Sequence, residues 1–206
     1  PRHRLQSAQE ILYRLEQIDI SSVSQADQGD ESWNPKLVGR ESIVDEMRNA
    51  VSALTRGQGS VVLLEGSEGM GKSRLVSAAV HHARLMGMPV HRAQLVSRSG
   101  AFEALVEIAR QVGTELGPNA APELTDAVMR FAQGRGRIDG DARYQLFDSI
   151  RDALTELLAY GPRVIVLDDF HHAPGPLVDL LGYLVRSIVA RDGKPLLVLL
   201  AVETGR

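Results

Sequence analysis

Two stretches of the chain carry residue types that can do chemistry together. The first is Gly66-Ser67-Glu68-Gly69-Met70-Gly71-Lys72-Ser73, directly behind the apolar run Val61-Val62-Leu63-Leu64-Glu65. It spells G-x-x-x-x-G-K-S, a Walker A phosphate-binding loop in the strand-then-helix setting that the motif requires. Glycines let the backbone curl with its N–H groups turned inward around an anion, and a helix starting near Gly71 adds the positive end of its dipole. Lys72 would place an ammonium between the β- and γ-phosphates, and the Ser73 hydroxyl would ligate Mg²⁺. A glycine-rich turn carrying an exposed lysine is the competing reading.

The second stretch is Arg163-Val164-Ile165-Val166-Leu167-Asp168-Asp169-Phe170. Its aliphatic run predicts a buried parallel strand, with two carboxylates where the strand emerges. This is the form of a Walker B strand. Asp168 is assigned to Mg²⁺, opposite Ser73, and Asp169 to the water that attacks the γ-phosphate. The pairs His171-His172 and His81-His82 are read as ordinary structural or surface histidines, since adjacent residues do not share a helix face and no third ligand accompanies them.

The elements that must position these groups follow from periodicity and breakers. Helices are predicted over Ser42 to Arg56, with Ser42 as a cap, over Arg74 to Met86, and over Phe102 to Leu116. Further helices are predicted over Pro122 to Ala132, Asp141 to Tyr160 and Pro176 to Ala190. Strands are predicted at 61–65, at Val90 to Val96, at the Asp-Asp stretch, and at Pro195 to Val202. Before these, Leu5 to Ile18 has the apolar spacing of a short amphipathic helix. Ile20 to Asn34, rich in Ser, Gln, Asp and Gly, reads as a linker, and Trp33 as an anchor for the domain that follows. Gly134-Arg135-Gly136-Arg137 reads as a solvated basic loop. The fold class is therefore α/β, a three-layer sandwich around a mainly parallel sheet.

Composition narrows the function classes. The 206 residues are 44% hydrophobic and 24% charged, which is globular. With 26 acidic against 23 basic residues the formal net charge is −3, so no overall basic field draws the chain to nucleic acid or to an anionic membrane. Cysteine is absent, which removes thiol chemistry and suits a cytoplasmic location. No apolar run is long enough to span a bilayer. The start at Pro1 and the stop at Arg206 behind a strand-like run predict an excerpt of a longer protein.

Two resemblances add to this reading. Residues Pro1-Arg2-His3-Arg4-Leu5-Gln6-Ser7-Ala8-Gln9-Glu10-Ile11-Leu12 resemble the last helix of a Ser/Thr protein kinase catalytic domain. In that family the arginine matching Arg4 pairs with a glutamate of the activation segment, which would lie upstream. The resemblance implies a parent protein with a kinase domain whose catalytic parts are not in this chain. From Val38-Gly39-Arg40-Glu41 through the Walker elements to Arg206, the order of elements resembles the P-loop ATPase module of the STAND and origin-recognition-like AAA-type families. These modules occur in large bacterial signalling proteins. The divisions implied are 1–19 as the end of a kinase domain, 20–34 as linker, and 35–206 as the ATPase domain without its lid.

That second resemblance implies that Val38, Gly39 and Arg40 help to enclose the base and ribose; an ordinary helix-capping turn is the alternative. It also implies that Thr204 and Arg206, after the last strand, report the γ-phosphate as sensors, although a plain strand end fits equally. His172-Ala173-Pro174 stands where family members carry Trp-Ala-Asp, so that tryptophan and aspartate have no counterpart. The family's sheet order implies a further strand beside the P-loop strand, supplied from beyond Arg206, and hence an open sheet edge.

The leading functional expectation is binding and slow hydrolysis of ATP with Mg²⁺, used as a conformational switch in a signalling or transcription-regulating protein. The alternative is a nucleotide-binding scaffold that assembles partners without turnover. A small-molecule phosphotransferase is disfavoured because no arginine-bearing lid is identifiable. The absence of an N-K-x-D element tilts the base to adenine. Expected partners are the nucleotide, other domains of the same chain and, on nucleotide binding, a second copy of it, without membrane or direct nucleic-acid contact.

Overall fold

The computed structural model describes residues 40–96, 101–116, 122–133 and 140–203. The expectations placed on residues 1–39, on Gly134 to Arg137 and on Thr204 to Arg206 lie outside the described residues. Four strands, β1 (Ser60–Gly66), β2 (Val90–Gln94), β3 (Arg163–Asp168) and β4 (Leu196–Glu203), form one sheet in the order β1-β4-β3-β2. Every neighbouring pair is parallel. The helices are α1 (Glu41–Leu54), α2 (Lys72–Leu85), α3 (Ala101–Leu116), α4 (Pro122–Gln133), α5 (Asp141–Leu157) and α6 (Gly175–Leu184). This is the three-layer α/β sandwich of a P-loop NTPase.

The two central strands show why both faces must be covered. In β3 and β4 the side chains alternate between layers, and both sets are apolar, so neither strand has a face for water. Leu167, Leu196, Val198 and Leu200 join the core with α3, α4, α5 and α6. Val164, Val166, Leu197 and Leu199, on the other face, are fully buried on the side of α1 and α2. Phe102, Phe131 and Phe147 stack edge to face through the outer helices, with centroids 5.5 and 5.9 Å apart.

β1 pairs with β4 and lies at the sheet edge. Its Leu64 is buried, but Val61 and Leu63 stand on the opposite face, where their register partners Val198 and Leu200 are covered and they are not. Leu63 is 51% exposed. This edge is where the resemblance implies a further strand.

Local details depart from the sequence reading. Helix α1 begins at Glu41, preceded by Arg40 without any side-chain cap, and Ser42 lies inside the helix. β2 ends at Gln94, leaving Val96 largely exposed. The last predicted helix is α-helical only to Leu184 and continues as a π-helix over Val185–Arg191. There the Ser187 hydroxyl donates to the carbonyl of Tyr183 at 2.7 Å, competing with the regular helical ladder.

The approach to the sheet depends on a glycine. A Cβ at Gly59 would stand 2.2 Å from the Lys194 carbonyl oxygen and 2.8 Å from that of Leu196. Both are backbone atoms at the start of β4 and cannot rotate away. Gly59→Ala is therefore expected to cost about 2 to 3 kcal/mol, read as a fall in melting temperature of roughly 5 to 10 °C.

At the far end of the sheet a buried polar cluster joins three elements. Arg163, 3% exposed, donates to both oxygens of Glu115 on α3, at 2.8 and 3.0 Å. It also donates to Nε2 of His91 at 3.3 Å. A guanidinium can only donate, so this contact uses a lone pair on Nε2 of His91, while Glu115 Oε2, 3.4 Å from the same nitrogen, favours a proton on it. Burial lowers its pKa, the Glu115 carboxylate opposes that shift, and Arg163 adds to it. The unfolded chain takes up the proton near the ordinary value of 6.5, whereas the folded chain does so only at lower pH. Stability is therefore complete above that value and falls as the pH drops below it. Melting curves between about pH 7.5 and pH 5.5 should show that decline in the wild type and a shallower one in His91→Gln. A remainder of the same sign is expected from His82, whose pKa is lowered by burial, Arg48 and His81.

Candidate nucleotide-binding site

In a parallel sheet all strands emerge at one edge, and the polar groups gather there. β1 runs into the loop from Gly66 to Ser73. Gly69 and Gly71 have positive φ, 75° and 81°. Gly66 does not, and a Cβ there would make only ordinary contact with Met70, so two of the three glycines carry the left-handed turns. Ser67, Glu68 and Met70 are exposed along the loop. Gly71 precedes α2 in a left-handed conformation with no side-chain cap, so the first N–H groups of α2 open toward the loop.

Lys72, the first residue of α2, folds back across the loop. Its Nζ donates to the carbonyl oxygens of Gly66 at 2.7 Å and of Ser67 at 3.0 Å. The ammonium thus hovers over the cradle, and a bound phosphate would take over these donors. Ser73 is exposed on the first turn of α2. Arg40 also reaches the loop: its Nη1 lies 3.7 Å from the position a Cβ would take on Gly71. Val38, Gly39, Thr204 and Arg206 lie outside the described residues.

β3 delivers the two carboxylates at the same edge. The register aligns Leu167 with Leu200 and Leu200 with Leu63, so Asp168 ends a strand two places across from β1, about 10 Å at the usual strand spacing. Asp168 is 7% exposed. Its Oδ2 accepts from Nε and Nη2 of Arg92, both at 2.7 Å, while its Oδ1 is buried and has no partner among the described residues. An orphaned carboxylate oxygen is costly in a folded chain, and a metal-bound water or a cation would satisfy it. Together with the hydroxyl of Ser73 on α2, this donor chemistry suits Mg²⁺.

Asp169 is the one non-glycine residue with positive φ, 53°, among the described residues. That turn carries its carboxylate off the strand axis, where Oδ2 accepts from Nε2 of Gln94 at 2.8 Å. Beyond it, the Glu203 backbone N–H donates to Nδ1 of His171 at 3.4 Å, tying the segment after β3 to the tip of β4. His171 and His172 pack ring to ring. Among the described residues no group of three His, Cys, Asp or Glu side chains is placed to hold a metal. None of the described helices is long and apolar enough to cross a membrane.

Arg92 and Gln94 were missed from sequence. The signal was present: two polar residues alternate with buried His91 and Ala93 at the end of a strand beside the Asp-Asp strand. Strand order, which the sequence leaves open, makes them neighbours of Asp168 and Asp169.

Comparison with curated proteins finds no match. A family profile described as AAA ATPase domain matches residues 36–199, which spans the P-loop, the Asp-Asp strand and the first half of β4. The chain belongs to the AAA ATPase domain family, whose members bind and hydrolyse nucleotide.

Proposed function

We propose that this chain binds ATP with Mg²⁺ at the β1–α2 loop, hydrolyses it slowly, and uses the γ-phosphate as the signal of a conformational switch. The observation that carries this reading is the convergence at one sheet edge of the loop, with Lys72 folded over it, and the Asp168-Asp169 pair two strands away. In this reading the backbone of Gly66 to Ser73, with Lys72, holds the phosphates. Ser73 and Asp168 hold Mg²⁺, which neutralises charge on the β- and γ-phosphates. Asp169 accepts a proton from the attacking water.

Arg40, at Gly71, flanks the same cradle, with Val38 and Gly39 beside the base and Thr204 and Arg206 as sensors. The module belongs to a longer cytoplasmic signalling protein, with residues 1–19 ending a Ser/Thr kinase domain and 20–34 as the linker. Slow turnover is supported by the engagement of both carboxylates, Asp168 by Arg92 and Asp169 by Gln94. The same engagement favours, as a second reading, a scaffold that binds nucleotide without turnover.

The test is a calorimetric titration with Mg-ATP, with GTP as competitor, followed by single-turnover phosphate release. Saturable ATP binding that GTP displaces poorly, with phosphate appearing in solution, is the expected result. Binding without phosphate release would select the scaffold, and phosphate on an acceptor would select a phosphotransferase. The absence of saturable binding would refute the nucleotide reading.

A further inference from the structure

Arg92 is the one cation hydrogen-bonded to a candidate metal carboxylate among the described residues, and its placement is built from several directions. It lies on β2, the edge strand next to β3. Its backbone is fixed on the open side of that strand by Gln111 of α3. The Arg92 N–H donates to Gln111 Oε1 at 2.9 Å, and Gln111 Nε2 donates to the Arg92 carbonyl at 2.8 Å. Gln111 Nε2 also donates to Glu107 Oε1 at 2.9 Å, and Glu107 is gripped by Arg110. The Arg110 ion pair, then the Gln111 hydrogen bond, hold the Glu107 carboxyl down at a pKa of about 2, so this acceptor stays charged. The strand position of Arg92 is thus pinned from α3, and its side chain runs forward along β2 to Asp168.

Both guanidinium donors fall on the same oxygen, Oδ2 of Asp168, and Oδ1 has no partner among the described residues. A divalent cation arriving at Oδ1 would meet a carboxylate already neutralised by a fixed positive charge.

We propose that Arg92 is a positioning residue that acts as a resident counter-ion for Asp168 and weakens the site's hold on Mg²⁺, so that the metal is retained only when nucleotide phosphates supply the missing negative charge. The proposal rests on the nucleotide reading above. Two effects of Arg92 oppose each other. Fixing the Asp168 rotamer favours the metal by a factor of roughly two to ten, the worth of ordering one side chain. Placing a full positive charge in contact with the ligand carboxylate disfavours a dication by well over tenfold, even at a high effective dielectric. The second effect is larger, so removing the charge should tighten metal binding.

The experiment uses the whole chain as wild type, Arg92→Gln, Arg92→Met and Arg92→Lys. ADP affinity is first measured by calorimetry in EDTA. Mn²⁺ binding to the ADP-loaded protein is then followed by the loss of the free-ion electron paramagnetic resonance signal. Arg92→Gln and Arg92→Met are expected to bind Mn²⁺ at least tenfold more tightly than wild type, with ADP affinity in EDTA unchanged within about twofold. Arg92→Lys, which keeps the charge, should stay near wild type. Unchanged or weaker Mn²⁺ binding in the two neutral variants, with ADP affinity intact, overturns the counter-ion role while leaving the nucleotide site standing. Loss of ADP binding in both neutral variants shows that Arg92 is a structural prop and also overturns the role. A wild type that binds no ADP refutes the nucleotide reading itself, and the proposal with it.

Discussion

Lys72→Ala is expected to lower the affinity for Mg-ATP by at least a hundredfold, about 3 kcal/mol, with little change in thermal stability. The two expectations separate because of what Lys72 touches. Among the described residues its ammonium bonds only the carbonyls of Gly66 and Ser67, in a loop whose side chains are largely exposed, and water can replace it there. No such replacement exists for a cation between phosphates at the mouth of a helix. Lys72→Arg should not restore binding, because a planar guanidinium is bulkier than an ammonium and presents its donors in a fixed fork instead of a compact point charge. The check is a titration of each variant with Mg-ATP alongside a melting curve. Wild-type affinity in Lys72→Ala would remove this loop as the phosphate site.

The second large effect concerns turnover. Asp169→Asn is expected to reduce phosphate release by a factor of about 10² to 10³, corresponding to about 3 to 4 kcal/mol of barrier, while Mg-ATP affinity stays within a few-fold. This substitution is clean for structural reasons. Asparagine tolerates the left-handed backbone that position 169 requires, whereas a β-branched residue would strain it. An amide oxygen can also keep the hydrogen bond donated by Gln94 Nε2. What is lost is the negative charge that accepts the proton. Single-turnover measurement separates this from a change in binding. Undiminished turnover in Asp169→Asn would move the proton-accepting role elsewhere.

Legibility divided along physical lines. The glycine-rich loop between β1 and α2 was readable because its pattern is local: the glycines, the lysine and the helix start lie within eight consecutive residues, so no tertiary information is needed to assemble them. The buried strands β3 and β4 were readable for a related reason, since a strand covered on both faces must be apolar at every position. Ends of elements were less legible. Ser42 has the chemistry of a cap, yet the helix begins one residue earlier, at Glu41, because a cap is worth only about 1 kcal/mol and does not by itself fix where a helix starts. The π-helical turn at Val185–Arg191 left no trace in the apolar spacing, which fits a continuous helix equally well.

By itself the sequence determined the α/β class, the glycine-rich loop between β1 and α2 and the existence of an acidic strand tip. Each follows from neighbours along the chain, where spacing alone sets the geometry. Only the tertiary structure decided what stands beside that tip. The order β1-β4-β3-β2 brings Arg92 and Gln94 to Asp168 and Asp169, across 76 and 75 residues of chain. It also leaves Val61 and Leu63 of β1 uncovered while the same face of β4 is buried. Strand order is set by how two helical layers share the faces of one sheet, a property of the whole chain, and no local pattern of residues encodes it.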